Sequence, residues 1–168
     1  MRTIDSTVYS RRSAILAAMA AMIAANAPAR RTPRVLFVCE HGTVKSPIAR
    51  ELLRARAIAR GVRVKVRSRG IAPKEAATPE LAAALVRGGI DVKREPLRRL
   101  IGADAEWADI IVHFHPLPRD IPAGAARDWA DTPSVNGDYT AAMARIGDRI
   151  DALLGEIGRG AVAGGKRS

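Results

Sequence analysis

The sequence contains a single cysteine, Cys39, among 168 residues, which excludes an intramolecular disulfide and a zinc cluster built from several cysteines. Aromatic residues make up only 4%, and no RNP-type, zinc-finger or helix-turn-helix signature is present, so nucleic acid is not expected as a partner. Acids are scarce beside bases: 17 Asp and Glu against 28 Lys and Arg give a formal charge of +11. Such a surface concentrates anions without choosing among phosphate, acidic peptides and lipid headgroups. The apolar run from Ala14 to Ala25 is too short to span a membrane. No internal repeat is visible. What remains, 48% apolar residues in a chain of ordinary domain length, fills one core without a metal or disulfide staple.

Residues 1–27 read as an export leader. Arg11 and Arg12 precede Ser13, the apolar run follows, and Ala25-Asn26-Ala27 offers a small-residue cleavage site. Ser10 to Leu16 resembles a twin-arginine signal, so a periplasmic or secreted protein is expected, or a cytoplasmic one if the leader is not functional. One globular domain is expected over 34–157, and a Gly-rich, basic, disordered tail over 158–168.

Within the domain, Val35-Leu36-Phe37-Val38 is β-branched, aromatic and too short for a helix, which predicts a buried parallel strand. Ser46 is placed to cap a helix reaching about Arg60, with Pro47 in its first turn, an apolar stripe of Ile48, Leu52, Ala55 and Ala59, and Gly61 at its end. Val62 to Ser68 alternates strictly, as a strand at a sheet edge does. Thr78-Pro79-Glu80 starts a helix that Gly88-Gly89 closes. Ile90-Asp91-Val92 reads as a brief extended piece, and 97–108 contains another helix. Ile110 to Phe114 reads as a buried strand. A looser, Pro-containing segment leads to Trp129, and a last helix places Met143, Ile146, Ile150, Leu153 and Ile157 on one stripe, with Asp138 as its cap. This alternation favours a parallel sheet covered on both faces, with ligands beyond the carboxyl ends of its strands.

Cys39 stands at such an end. The loop Glu40-His41-Gly42-Thr43-Val44-Lys45 and the helix beginning near Ser46 can turn backbone N–H groups and a positive dipole end toward an oxyanion, and the same field favours a thiolate. An anion pocket with a nucleophile at its base is expected; the alternative is an inert core thiol.

A cysteine, five intervening residues, a cation and a serine, set between a strand and a helix, resemble the phosphate loop of the low-molecular-weight protein tyrosine phosphatases, whose fold also includes the thioredoxin-coupled arsenate reductases. Cys39-Glu40-His41 looks more like the opening of the reductase loop. The likeness runs from about Arg34 to about Ile157. It takes in Ser68-Arg69-Gly70, where the family has Ser-Ala-Gly, and Trp129-Ala130-Asp131-Thr132-Pro133, where it has an Asp-Pro acid loop. Two departures stand out: Lys45 occupies the place of the family's loop arginine, and Gly42 that of its asparagine, a position that suits a left-handed backbone.

The resemblance implies an α/β fold, three-layered and doubly wound on a four-stranded parallel sheet of flavodoxin type. It implies a phosphatase in which Cys39 attacks phosphorus, Lys45 and the N–H groups of Glu40 to Ser46 cradle the oxyanion, Ser46 stabilises the departing thiolate, and Asp131 is the acid, with Asp128 and Asp138 as competitors. The partner would be phosphate itself, a phosphorylated small molecule or a phosphotyrosine protein, and no cofactor is implied. Lys45 lacks the planar fork of arginine, which opens a second reading, a non-catalytic domain that binds an oxyanion or phosphoprotein. A third is an arsenate reductase, which with one cysteine would need an external thiol. His41, His113 and His115 form a far weaker case for a metal site. Trp129 either walls the pocket or belongs to the core.

Overall fold

A computed structural model describes residues 31–160 apart from 76, 123 and 125. The expected leader, at 1–27, and nearly all of the expected tail lie outside the described residues.

Four parallel strands form one sheet in the order β2-β1-β3-β4, with β1 Arg34–Cys39, β2 Lys65–Gly70, β3 Ile110–His113 and β4 Ala126–Asp128. The interior strand β1 is the apolar run read from the sequence, and its residues Val35 to Val38 are completely buried because both sheet faces are covered. The alternating stretch is the edge strand β2, although it begins at Lys65 rather than Val62. Strand β4 had no sequence signature: Ala126-Arg127-Asp128 neither alternates nor carries a β-branched residue, and it is extended because the free edge of β3 pairs with it.

Among the described residues, four helices complete the layers: α1 Lys45–Ala59, α2 Pro79–Arg87, α3 Gly102–Trp107 and α4 Tyr139–Gly158. Val35, Phe37, Ile110 and Val112 point to one face, where they meet Ile48, Leu53, Leu85, Ile146, Ile150 and Leu153 from α1, α2 and α4. Leu36, Val38 and Ile111 point to the other, against Leu100, Ala105 and Ile121 around α3. Each buried Leu or Ile of α4 contributes about 1.5–3 kcal/mol as an upper bound. The stripe expected on α4 is the one that packs. Thr78 caps α2 by accepting the Leu81 amide at 3.2 Å.

Three local expectations are corrected. Helix α1 begins two residues early, with Val44 rather than Ser46 at its N-cap and no side chain capping it. Its buried face is Ile48, Ala49, Leu53 and Ala57, while Ala55 and Ala59 are exposed, because the sheet lies to that side. Ile90-Asp91-Val92 forms no strand. The sheet order makes β1 the place where connections diverge, through α1 to β2 on one side and through α2 and α3 to β3 on the other. Cys39 closes β1 at this switch point, where α/β sheets open a crevice.

Candidate active site

Cys39 pairs with Gly70 across β1 and β2, and the chain then turns sharply. The turn depends on Gly42, whose φ of 74° is a left-handed value. It brings the Gly42 amide to 3.2 Å from Cys39 Sγ, as a donor. The carbonyls of Cys39, Glu40 and His41 accept the amides of Ile71, Ala72 and Lys74 at 3.1, 2.8 and 3.2 Å. Those negative ends are thereby held by the neighbouring segment. Thr43 Oγ1 fastens the loop tip by donating to the Lys74 carbonyl at 3.0 Å.

Ser46 sits in the first turn of α1, fully buried, and its hydroxyl turns inward instead of capping. It lies 3.0 Å from Cys39 Sγ, where either atom can donate, and it donates to the Arg69 carbonyl at 3.3 Å. Sulfur, amide and hydroxyl therefore meet at the foot of the loop.

Lys45 reaches across the site. Its Nζ donates to the Thr132 carbonyl at 2.6 Å. Burial lowers its pKa from the usual lysine range, against the opposing pull of the Cys39 and Asp131 charges. The ammonium thus lies in the fields of both Cys39 and Asp131 while being tied to Thr132, the residue after Asp131.

Asp131 is largely exposed, with Oδ1 and Oδ2 at 2.7 and 2.8 Å from Nη2 of Arg149 on α4. The Arg149 hydrogen bond holds its carboxyl below the usual carboxylate range; the charges of Arg149 and Arg145 add to this, and slight desolvation opposes it. The competing acids are otherwise engaged. Asp138 caps α4 by accepting the Ala141 amide at 2.9 Å, and Asp128 accepts the Ala130 amide at 2.7 Å in the turn after β4. Trp129 belongs to the core, packed on Phe37 and Phe114 with centroids 5.9 and 5.7 Å away.

The exposed Glu40 carboxylate lies 3.8 Å from His41 Nε2, and His41 Nδ1 lies 3.3 Å from the Ala72 carbonyl. His113 faces Asp128 at 3.8 Å from the end of β3, and His115 is exposed beyond it. Among the described residues, no three His, Cys, Asp or Glu side chains gather as a metal would require.

Two features went unread in the sequence. Arg149 is one. The other is Arg50, 2% exposed on α1, which bonds Glu51 at 2.8 Å, Ser68 Oγ at 2.7 Å and the Val92 carbonyl at 3.4 Å. A signal for it existed, since a basic residue four positions after Ser46 falls on the face that α1 buries. Arg50 and Ser68 help line a cavity of about 260 Å³ between Gly42-Thr43 and Glu95 to Arg98; Cys39, Lys45 and Asp131 do not line it.

A family model described as low molecular weight phosphotyrosine protein phosphatase matches residues 34–119, from the start of β1 past the end of β3. The chain belongs to the low-molecular-weight phosphotyrosine protein phosphatase family. The matched stretch contains the whole Cys39–Ser46 loop and ends before Asp131. Solved structures with the same fold include YfkJ from Bacillus subtilis, at 20% identity and a TM-score of 0.66, covering 77% of this chain and 97% of that one. The low-molecular-weight protein tyrosine phosphatase from T. tengcongensis has 24% identity and a TM-score of 0.64, covering 74% and 99%. An arsenate reductase in the phosphate-binding state has 18% identity and a TM-score of 0.62, covering 75% and 99%. At these identities the likeness is one of fold. No curated protein matches the sequence. Membership of the phosphatase family agrees with the three-layer α/β architecture and with a loop shaped for an oxyanion.

Proposed function

We propose that the chain hydrolyses a phosphate monoester through a cysteinyl-phosphate at Cys39. The observation that supports this most directly is the meeting of Cys39 Sγ with the Gly42 amide at 3.2 Å and the Ser46 hydroxyl at 3.0 Å. Donors so placed stabilise a thiolate both before attack and as it departs. In the first step sulfur bonds to phosphorus as the ester P–O bond breaks, and the leaving oxygen takes a proton from Asp131. In the second, water bonds to phosphorus, gives its proton to the Asp131 carboxylate, and the S–P bond breaks to restore the thiolate. Phosphate and a phosphorylated small molecule or phosphotyrosine protein are the partners this chemistry takes.

A second reading, an oxyanion-binding domain without turnover, draws on the Lys45 contact with Thr132 and the Arg149 contact with Asp131, since both occupy groups that catalysis needs. Steady-state hydrolysis of an aryl phosphate by the reduced full chain separates the two. Hydrolysis that Cys39→Ser abolishes and Lys45→Arg raises supports the phosphatase. Wild type and Lys45→Arg that are both silent yet bind phosphate leave the second reading. Arsenate-dependent oxidation of an added thiol, absent in Cys39→Ser, would instead point to the reductase chemistry expected as a third alternative.

We also propose export through residues 1–27. A reporter fused behind them should reach the periplasm, and Arg11→Lys with Arg12→Lys should retain it in the cytoplasm.

A further inference from the structure

Arg149 projects from α4 onto the acid segment without being called for by anything in the loop itself. Its guanidinium carbon lies 5.6 Å from the centre of the Trp129 ring, so the head group that meets Asp131 also faces an aromatic ring. At the head, Nη2 meets both Asp131 oxygens at 2.7 and 2.8 Å, and Nη1 donates to Thr132 Oγ1 at 3.2 Å. One nitrogen therefore carries the whole carboxylate contact, in place of the two parallel bonds that make arginine pairs strong. The Asp131 side chain is 60% exposed, and ion pairs in such settings contribute little and exchange readily.

The surroundings favour an exchange. Lys45 donates to the carbonyl of the same Thr132 at 2.6 Å, so an ammonium from α1 and a guanidinium from α4 meet on one residue. Arg149 from α4 contacts Asp131 directly, and the charges of Arg145 on α4 and Lys45 on α1 act on or with the same carboxylate, with the Cys39 charge also acting on Lys45. This excess of positive charge stands beside a loop whose own cation is a lysine. A tetrahedral oxyanion offers two oxygens to a planar fork, which Asp131 in its observed contact does not use.

We propose that Arg149 is an oxyanion-binding residue: when a phosphate-class oxyanion occupies the Cys39–Ser46 loop, the guanidinium releases Asp131 and closes on the oxyanion with both Nη groups. The proposal rests on the reading of that loop as an oxyanion cradle. A consequence is that the exchange which grips the oxyanion also frees Asp131 to regain a proton from solvent.

Calorimetric titration of the reduced full chain with inorganic phosphate at neutral pH, using wild type, Arg149→Met, Asp131→Asn and the double variant, tests it. Loss of a charge-assisted pair of hydrogen bonds predicts that Arg149→Met binds about tenfold more weakly. Asp131→Asn should bind more tightly than wild type, and this gain should vanish in the Arg149→Met background. A folded Arg149→Met that binds phosphate within about twofold of wild type overturns the proposal and leaves the loop reading intact. So does a gain from Asp131→Asn that is equal in both backgrounds, which would be a general charge effect. If Arg149→Met does not fold, Arg149→Lys decides: weakening supports the role of the fork, and unchanged affinity defeats it. Wild type that binds no phosphate removes the loop reading and this one with it.

Discussion

A β-carbon on Gly42 would lie 2.8 Å from the α-carbon of Gly70, and a β-carbon on Gly70 would lie 2.8 Å from the His41 carbonyl carbon and 2.9 Å from the Gly42 nitrogen. The loop that carries Cys39 is thus seated against the end of β2 by two residues that fit only because neither has a side chain. Gly70 is fixed from its other side as well, donating to the Arg98 carbonyl at 3.0 Å and accepting the Leu100 amide at 2.8 Å.

Gly42→Ala should therefore disturb both stability and the site. The left-handed φ costs about 1–3 kcal/mol in a residue with a β-carbon, and the clash with Gly70 backbone adds about 1–3 kcal/mol of overpacking. Denaturant unfolding should show a lowered midpoint, and phosphate affinity should fall even where the variant remains folded. An unchanged midpoint would mean that the loop is not held at this φ.

Ser46→Ala removes the single hydroxyl that lies next to the sulfur and reaches the Arg69 carbonyl. Stability should fall by only about 0.5–1.5 kcal/mol. Turnover should fall by on the order of 10², as for the loss of one oriented donor. Rapid-mixing kinetics with an aryl phosphate should show a burst followed by slow release, because the thiolate becomes the poorer leaving group. Equal slowing of both phases would assign Ser46 to positioning rather than to thiolate departure.

Asp131 should titrate below an ordinary aspartate in the free protein, held there first by the Arg149 hydrogen bond. A depressed folded pKa contributes stability above the unfolded pKa that is lost as pH falls through the folded one; exposure keeps this contribution small. Arg149→Met should raise the Asp131 titration toward the ordinary range, measured by carboxyl-selective NMR. No movement would show that Arg149 does not set the charge of this carboxylate.

The Arg50–Glu51 pair, 2% and 6% exposed, is a buried ion pair on α1, about one turn beyond Ser46. Glu51 also receives Arg54 at 2.8 Å and Arg94 at 3.5 Å, while Glu95 lies 3.6 Å from Arg50 and 2.6 Å from Arg54, so two carboxylates share three guanidinium groups. Glu51→Ala should cost about 3–5 kcal/mol by leaving Arg50 buried without its close partner. Replacing both residues by methionine should recover much of that loss, and thermal unfolding of the two variants side by side checks the contrast.

The sheet and the strand–loop–helix unit that carries Cys39 were legible because their signals are local. Val35 to Val38 could only be a buried strand, and the stripe from Met143 to Ile157 could only be a helix face. Ser46 was read as a cap because capping depends on residue type and position; it failed as one because α1 starts two residues earlier and Cys39 offers the hydroxyl a buried partner. The stripe on α1 was misassigned for a related reason. Alanine is nearly neutral in pattern, so periodicity did not distinguish Ala55 from Ala57, and the position of the sheet did.

By itself the sequence determined the strand–loop–helix unit, the single possible thiol nucleophile and the glycine its loop requires, since strand periodicity and turn stereochemistry act over a few residues. Only the tertiary structure decided which groups surround that unit. Lys45 and Thr132 are 87 residues apart, Arg149 and Asp131 belong to different elements, and Gly70 arrives from the neighbouring strand. No local pattern encodes such pairings. They follow from the order in which the strands assemble and from the side of the sheet on which each helix returns.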